Sequence, residues 1–262
     1  MNTPNTNLRA FNLAVQTLLS SPSQFLPHLT VPTFTHLPEQ IGPLLEAQYP
    51  PSSQPQPQSS SEKEPSPQDK PRITIRALVL DKDNTLCPAK TTTFPSNIYA
   101  HLHALRTSPT SPFNLSTAPN SILIVSNRAG SHPRYEDEAV EIEERLAGLK
   151  IPVFRLPVPM ESQGGKVNSV EKKPFCGKEV LDWFRERGVT QRADEIAVVG
   201  DRLGTDVLMA KEMGSWSVWL RDGVGEEVTQ GKRNVLEKME VWIERYLRES
   251  RGLKAPRPRA SN

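Results

Sequence analysis

The 262 residues of the chain are 36% hydrophobic and 24% charged, and their formal net charge of +2 gives no electrostatic case for nucleic-acid binding. Two cysteines are too few for a disulfide framework, and no apolar run reaches the roughly 18 residues of a membrane span. The 25 prolines lie mostly outside strand-like runs, so we predict one globular domain with irregular flanks in a reducing compartment.

Residues 1–49 begin with a short amphipathic helix. Its apolar residues recur at helical spacing: Leu8, Phe11, Val15, Leu18 and Leu19. The helix can lie on a membrane interface, act as a targeting presequence or dock on the domain. Arg9 is the only Lys or Arg residue before residue 39, which is fewer than a presequence should have. We therefore predict a membrane-associating segment over residues 1–49, and the other two interpretations stay open.

The composition sets the remaining boundaries. Pro, Ser and Gln dominate residues 50–71, and this segment has too little apolar surface to offset the entropy of ordering, so it is predicted to be a linker. Residues 72–251 form the predicted catalytic domain. Residues 252–262 are basic and contain proline, which predicts a disordered tail.

From residue 73 the chain alternates between strand-like runs and helical periodicity. The predicted strands are Ile73–Asp81, Ser121–Asn127, Ile151–Leu156, Glu195–Asp201 and Trp216–Leu220. The predicted helices are Pro95–Arg106, Tyr135–Leu149, Phe175–Arg187, Thr205–Met213 and Val235–Arg248. The apolar stripe of the last is expected to pack on the sheet, with membrane contact as the alternative. This alternation predicts an α/β, Rossmann-like three-layer fold with a central parallel sheet. A functional site is expected at the carboxyl ends of the strands.

The first strand ends in two carboxylates, Asp81 and Asp83. A carboxylate at the strand tip can attack phosphorus as a nucleophile, and the second can reach the leaving oxygen as acid and later as base. Two close negative charges also predict a cation, for which Mg²⁺ is suited by its preference for oxygen ligands. The alternative is an Asp-rich turn that closes the strand.

Two further predicted strands also end in polar residues. Ser126 and Asn127 end the second strand, and Asp201 ends the fourth, with Asp206 five residues later. Because these ends meet at one edge of a parallel sheet, the side chains are expected near the first pair of aspartates. Helix capping is the alternative role for Asp206.

A lysine pair, Lys172 and Lys173, precedes Pro174. Proline suits the first turn of a helix, which would place Lys173 at the helix entrance, where its charge can meet phosphate. Lys172 is the competing candidate. A solvated pair of charges is the alternative for both.

The order of these motifs resembles the haloacid dehalogenase superfamily of aspartate-dependent phosphohydrolases. The motifs are Asp-x-Asp-x-Thr, strand-Ser, Lys-Pro and strand-Gly-Asp-x-x-x-Thr-Asp, between about Ile73 and Asp222. The family places its lysine directly before proline, which favours Lys173. Three features are similar to the phosphatidylglycerophosphate phosphatase branch of fungal and plant organelles: the runs Asp81–Leu86 and Gly200–Asp206 and the pair Ser126-Asn127.

This resemblance implies a role for each site residue. Asp81 would be the nucleophile and Asp83 the acid and base, while Ser126, Asn127 and Lys173 would bind the transferring phosphoryl group. Four residues would hold Mg²⁺: Asp81, Asp83 through its main-chain carbonyl, Asp201 and Asp206.

The resemblance also implies the substrate and the location. The gaps from Thr85 to Ser121 and from Asn127 to Lys173 leave no room for a large cap domain, so the site should be open to a bulky substrate. The branch implies dephosphorylation of phosphatidylglycerophosphate on the route to cardiolipin, by a peripheral protein on the matrix side of the mitochondrial inner membrane. The alternatives are a phosphatase of phosphoproteins or soluble phosphate esters, and a non-catalytic membrane-tethered scaffold.

Overall fold

The computed structural model describes residues 6–50, 72–156, 171–225 and 235–258. Nearly all of the predicted linker, most of the loop before Lys172 and the last four residues lie outside these ranges. Five parallel strands form one sheet, in the order β1-β5-β4-β2-β3. The strands are β1 Leu29–Val31, β2 Ala77–Leu80, β3 Ile122–Ile124, β4 Ile196–Gly200 and β5 Trp216–Leu220.

Helices cover both faces of this sheet. They are α1 Thr6–Ser20, α2 Gly42–Gln48, α3 Ser96–Thr107, α4 Glu136–Arg145, α5 Gly177–Glu186, α6 Leu208–Met213 and α7 Val235–Arg245. Alternate residues of β2 point to opposite sides. Leu78 and Leu80 pack with α2, α3 and α4, whereas Ala77 and Val79 pack with α5 and α6, and α1 and α7 extend this second layer. The predicted α/β fold of three layers is confirmed.

The edge strand β1 comes from the N-terminal segment, where the sequence predicts no strand. β1 pairs with β5, with Leu29 opposite Val218. The residues that follow it enter the main core, among them Phe34, Leu37, Ile41 and Leu45. Residues 22–49, which the sequence predicts to be part of a membrane-associating segment, therefore dock on the domain itself. Pro27 and Pro32 flank β1 and interrupt any periodic pattern.

Helix α1 docks with one face and exposes another. Leu13, Ala14 and Leu18 pack against a cluster that contains Trp219. The remaining members of the predicted apolar stripe are exposed: Leu8, Phe11, Val15 and Leu19. Within the described ranges, no helix combines the length and the apolar character needed to cross a bilayer.

The segment Ile151–Leu156, predicted as a strand, forms only one parallel bridge, between Ile124 and Val153. Pro152 has no N–H to donate to a ladder, and the N–H of Val153 donates to Glu143 Oε1 at 2.8 Å. The segment therefore runs beside β3 without becoming a regular strand.

The beginning of the predicted disordered tail packs against the domain. Ala255 is buried, and the carbonyl of Pro256 accepts a hydrogen bond from His28 Nε2 at 2.9 Å. The other ring nitrogen, Nδ1, accepts from the N–H of Ser217 at 3.0 Å. The histidine thus joins β5, the start of β1 and the tail in its neutral form.

We expect His28 to make the protein sensitive to acid. Burial lowers the pKa of His28 from 6.5 to about 4, so between these values the unfolded chain binds a proton that the folded chain does not. The free energy of unfolding should therefore decrease as the pH falls from 6.5 toward 4, by up to about 3 kcal/mol. Urea unfolding at pH 7 and pH 4.5 measures this loss. His28→Gln should lose less stability over the same interval, and an equal loss would assign the acid sensitivity to other groups.

Candidate active site

Three aspartates meet at the carboxyl ends of β2 and β4. Asp81 directly follows β2 and Asp201 directly follows β4, and the two strands are neighbours, with Leu80 opposite Val199. Asp206 lies in the π-helical turn Leu203–Val207. All three side chains are buried, and each offers a carboxylate oxygen within 4.8 Å of the others. The structure therefore brings these predicted site residues together.

Gly200 makes room for Asp206. A Cβ atom at Gly200 would lie 2.3 Å from the carboxyl carbon of Asp206, so any larger residue would displace that carboxylate. The N–H of Arg202 donates to Asp206 Oδ2 at 3.2 Å and helps to orient it. The Gly-Asp pair of the motif thus has two functions: the aspartate joins the cluster, and the glycine admits a second carboxylate.

Lys173, rather than Lys172, enters the cluster. Its Nζ donates to Asp81 Oδ1 and, at 2.7 Å, to Asp206 Oδ1. Burial by itself would lower the pKa of Lys173, but the two carboxylates outweigh burial and raise it, so the lysine stays charged. Lys172 Nζ instead donates to the carbonyl of Asn127 at 2.9 Å.

Among the described residues one lysine, Lys173, contacts this cluster of three carboxyl groups, so full ionisation would leave an excess of negative charge. Burial raises the pKa of Asp81 to about 6 and also raises that of Asp201, since a carboxylate removed from water resists ionisation. Asp201 Oδ1 is buried with no hydrogen-bond partner among the described residues. An orphaned oxygen in a set of oxygen donors fits a hard divalent cation, which would also favour the ionised carboxylates.

Asp83 lies outside this cluster. Its Oδ1 accepts from the backbone N–H of Lys90 at 2.7 Å and pairs with Lys82 Nζ at 2.8 Å. The side chain is 28% exposed, in contrast to the buried aspartates. The second carboxylate therefore has partners of its own, Lys82 and the N–H of Lys90, and does not share the lysine that contacts Asp81.

Ser126 and Asn127 follow the neighbouring strand β3. Ser126 Oγ accepts from the N–H of Arg128 at 3.0 Å, and Asn127 Oδ1 is buried without a partner in the described part of the chain. No hydrogen bond among the described residues joins either side chain to the aspartates. Both residues lie at the same edge of the sheet as the aspartates.

The profile of the family described as mitochondrial PGP phosphatase matches residues 8–225, which is most of the chain. This chain belongs to that family. The match begins within α1 and ends after β5, so it includes both the edge strand β1 and every aspartate of the site.

Two curated relatives align with nearly the whole of this chain. The mitochondrial phosphatidylglycerophosphatase of Saccharomyces cerevisiae is 32% identical over 231 residues, which are 88% of this chain and 93% of the relative. A Schizosaccharomyces pombe protein named "Probable phosphatidylglycerophosphatase, mitochondrial" is 28% identical over 237 residues, 90% of each chain. A solved candidate HAD-like phosphatase from Mesorhizobium loti shares 16% identity at a TM-score of 0.38, over 65% of this chain and 87% of its own. That overlap is too loose for a comparison of positions.

Sequence reasoning missed Lys82, the residue between the two aspartates of this family member. Its side chain is fully buried and donates to Glu138 Oε1 at 2.7 Å and to the carbonyl of Thr91 at 2.9 Å, besides pairing with Asp83. Burial opposes its charge, but the hydrogen bonds to Asp83 and Glu138 prevail and raise its pKa. A lysine at the end of an otherwise apolar strand was the available signal, since it needs buried carboxylate partners.

Proposed function

We propose that this chain is a phosphatidylglycerophosphatase, which removes the terminal phosphate of phosphatidylglycerophosphate and leaves phosphatidylglycerol. The observation that carries the proposal is the buried carboxylate of Asp81, paired with Lys173 at the end of a central strand in a member of the PGP phosphatase family. Both curated relatives carry this activity in their names. The enzyme is thus a phosphoric monoester hydrolase.

The contact between Asp81 and Lys173 supports a two-step displacement. In this proposal Asp81 attacks phosphorus and forms an aspartyl-phosphate, while Asp83 would leave its contacts with Lys82 and Lys90 to protonate the departing glycerol oxygen. Asp83 then takes a proton from the water that cleaves the intermediate. Lys173 Nζ, which contacts Asp81, would stabilise the charge of a phosphoryl group bonded to that residue. Ser126 and Asn127 would donate hydrogen bonds to the same group from the end of β3.

Mg²⁺ is the cofactor that we propose for the carboxylate cluster. Asp81 and Asp201 would hold it with the main-chain carbonyl of Asp83, and Asp206 would act directly or through water. When bound, the ion neutralises the carboxylates and the incoming phosphate. Asp201 supports this assignment most strongly, because its buried Oδ1 has no hydrogen-bond partner in the described part of the chain.

Removing Asp201 should abolish stabilisation by Mg²⁺. Because the ion binds the folded chain, saturating Mg²⁺ should raise the wild-type melting temperature, by the equivalent of about 2.7 kcal/mol at 100 times the dissociation constant. Asp201→Asn should show no such rise and should be at least as stable as wild type in chelator, because a neutral amide replaces a buried carboxyl group whose ionisation burial opposes. The matched control Asp182→Asn, on the surface of α5, should behave like wild type. An undiminished rise in Asp201→Asn would refute the assigned ligand set.

Phosphate release from phosphatidylglycerophosphate in mixed micelles tests the activity, with a soluble chromogenic phosphate ester run alongside. We expect release that depends on Mg²⁺ and strongly favours the lipid. Comparable release from the soluble ester would favour a phosphatase of soluble esters or phosphoproteins. Liposome binding without release from any ester would favour a non-catalytic scaffold.

A peripheral position on the mitochondrial inner membrane, on the matrix side, completes the proposal. The curated relatives are named mitochondrial, and a lipid substrate requires contact with a bilayer. Two helices beside the catalytic loops expose apolar side chains: Leu8, Phe11, Val15 and Leu19 on α1, and Val235, Leu236, Met239 and Trp242 on α7. Within the predicted α7 stripe, Ile243 packs against the cluster that contains Trp219 of the sheet, whereas Trp242 is 64% exposed and stacks on Tyr246.

These two helices lie next to the catalytic loops. Arg9 of α1 pairs with Glu171 and covers the ring of Phe175, on either side of the lysine pair. Glu240 of α7 accepts from the N–H of Gly204, between Asp201 and Asp206, at 3.0 Å. A bilayer that contacts the exposed residues would therefore lie near the site.

Loss of the exposed apolar residues should weaken vesicle binding. The combined change Phe11→Ser, Leu19→Ser and Trp242→Ser removes three large apolar contacts, so co-sedimentation with phosphatidylcholine–phosphatidylglycerol vesicles should fall at least about tenfold. Val140→Ser, also exposed but on the opposite layer, is the control. Unchanged binding would contradict the proposal, and loss of self-association in gel filtration without a loss of vesicle binding would assign this face to a second copy.

A further inference from the structure

Three cations surround one aromatic ring beside the site. The guanidinium carbons of Arg128 and Arg134 lie 4.8 and 4.6 Å from the centroid of the Tyr135 ring, and Lys172 Nζ lies 5.7 Å from it. We call Arg128, Arg134, Lys172 and Tyr135 the cationic cluster. Cation–π attraction holds each charge near the ring but does not cancel its positive charge.

The cationic cluster has too few carboxylates. Arg128 pairs with Glu138 at 2.9 Å, but Glu138 also binds the buried Lys82. Arg134 and Lys172 form no ion pair with any carboxylate in the part of the chain that the structure describes. Burial lowers the pKa of Lys172, and repulsion from the two arginines lowers it further. A group of like charges in this arrangement is destabilising until an anion joins it.

The cationic cluster borders the proposed phosphoryl site on two sides. Lys172 directly precedes Lys173, which contacts the aspartates. The Nζ of Lys172 itself donates to the carbonyl of Asn127. Arg128 follows Ser126 and Asn127, and its N–H donates to Ser126 Oγ. An anion held by the cluster would therefore lie next to the phosphoryl group that is removed.

We propose that Arg134 and Lys172, held against Tyr135, form a subsite for the second phosphate of the substrate, the diester that joins the headgroup to the acylated glycerol. This inference rests on the proposed function and adds the means by which a two-phosphate headgroup is distinguished from a simple phosphate monoester. Arg128, partly neutralised by Glu138, supports the subsite. Guanidinium and ammonium groups are both common ligands of phosphate.

Two soluble probes separate this subsite from membrane binding. Deacylated phosphatidylglycerophosphate has both phosphates but no acyl chains, and glycerol 3-phosphate has one phosphate. Wild type should have the higher kcat/KM for the first probe, and this preference should shrink with added NaCl because the contacts are ionic. The double variant Arg134→Gln, Lys172→Gln should lower the ratio of the two kcat/KM values by about tenfold or more, mostly through KM.

Arg187→Gln is the matched control, because its guanidinium also lies over an aromatic ring, 4.0 Å from the centroid of Trp183. Arg187 follows α5 and lies near the amino-terminal ends of the strands, at the opposite end of the sheet from the site. The control should keep the wild-type ratio. If wild type releases phosphate from the micellar lipid but has no preference between the soluble probes, or if the double variant keeps the preference, the subsite is refuted while the proposed function stands. If wild type releases phosphate from neither form of the lipid, the proposed function itself fails.

Discussion

Phosphate release is expected to fall by at least about a thousandfold when Asp81 is replaced by Asn. The amide has the shape of the carboxylate but is not a nucleophile, so no aspartyl-phosphate can form. The side chain is buried, and an amide oxygen can still accept the hydrogen bond from Lys173, so the fold should be retained. Initial rates with phosphatidylglycerophosphate, together with a thermal melt of the same preparation, measure both effects.

Two comparisons make the result specific to Asp81. Asp182→Asn, on the surface of α5, should keep wild-type rates. Asp83→Asn should impair hydrolysis of the phosphoenzyme, so that some acid-stable phosphate label accumulates on the protein, whereas Asp81→Asn should accumulate none. Turnover that survives in Asp81→Asn would remove this residue from the role of nucleophile.

The largest loss of stability is expected for Lys173→Met. The lysine is the one cation that the described structure places in contact with both Asp81 and Asp206, and its removal leaves two buried carboxylates uncompensated. The free energy of unfolding in chelator should decrease by about 3–5 kcal/mol, and activity should be lost with it. Mg²⁺ should restore part of the stability, because it neutralises the same carboxylates. Urea unfolding with and without Mg²⁺ measures both quantities.

A double variant covers the possibility that Lys173→Met does not fold. Lys173→Met combined with Asp206→Asn removes one charge of each sign, so it should recover stability in chelator without recovering activity. Lys178→Met, an exposed lysine on α5, should change neither quantity. If Lys173→Met is as stable as wild type, the buried ion pairs do not support the fold in the way that the geometry indicates.

The sequence was informative at the strand ends. The apolar run before Asp81 and the run before Asp201 each end abruptly in a carboxylate, and parallel strands bring such ends to one edge. Because β2 and β4 are neighbouring strands with Leu80 opposite Val199, the residues that follow them, Asp81 and Asp201, lie close together. The choice between Lys172 and Lys173 was less secure, because neighbouring residues have the same local pattern and differ only in the direction of their side chains.

Features that depend on distant contacts could not be found in this way. β1 has three residues between prolines and becomes a strand only by pairing with β5, almost 190 residues later. The partners of Lys82 include Glu138, 56 residues away, and nothing local to either residue indicates the pair. The sequence also left packing and membrane contact open for α7, because an apolar stripe has the same period whether it meets a sheet or a membrane.

The sequence by itself determined the α/β class, the family and the identity of the three clustered carboxylates, Asp81, Asp201 and Asp206, because each depends on local periodicity or on residue types at fixed spacing. Only the tertiary structure decided that Lys173 pairs with Asp81, that Gly200 admits Asp206, and that the N-terminal segment completes the sheet. These facts depend on side-chain direction and on contacts between residues far apart in the chain. Such contacts form only when the whole core is packed, which is why no short stretch of the sequence records them.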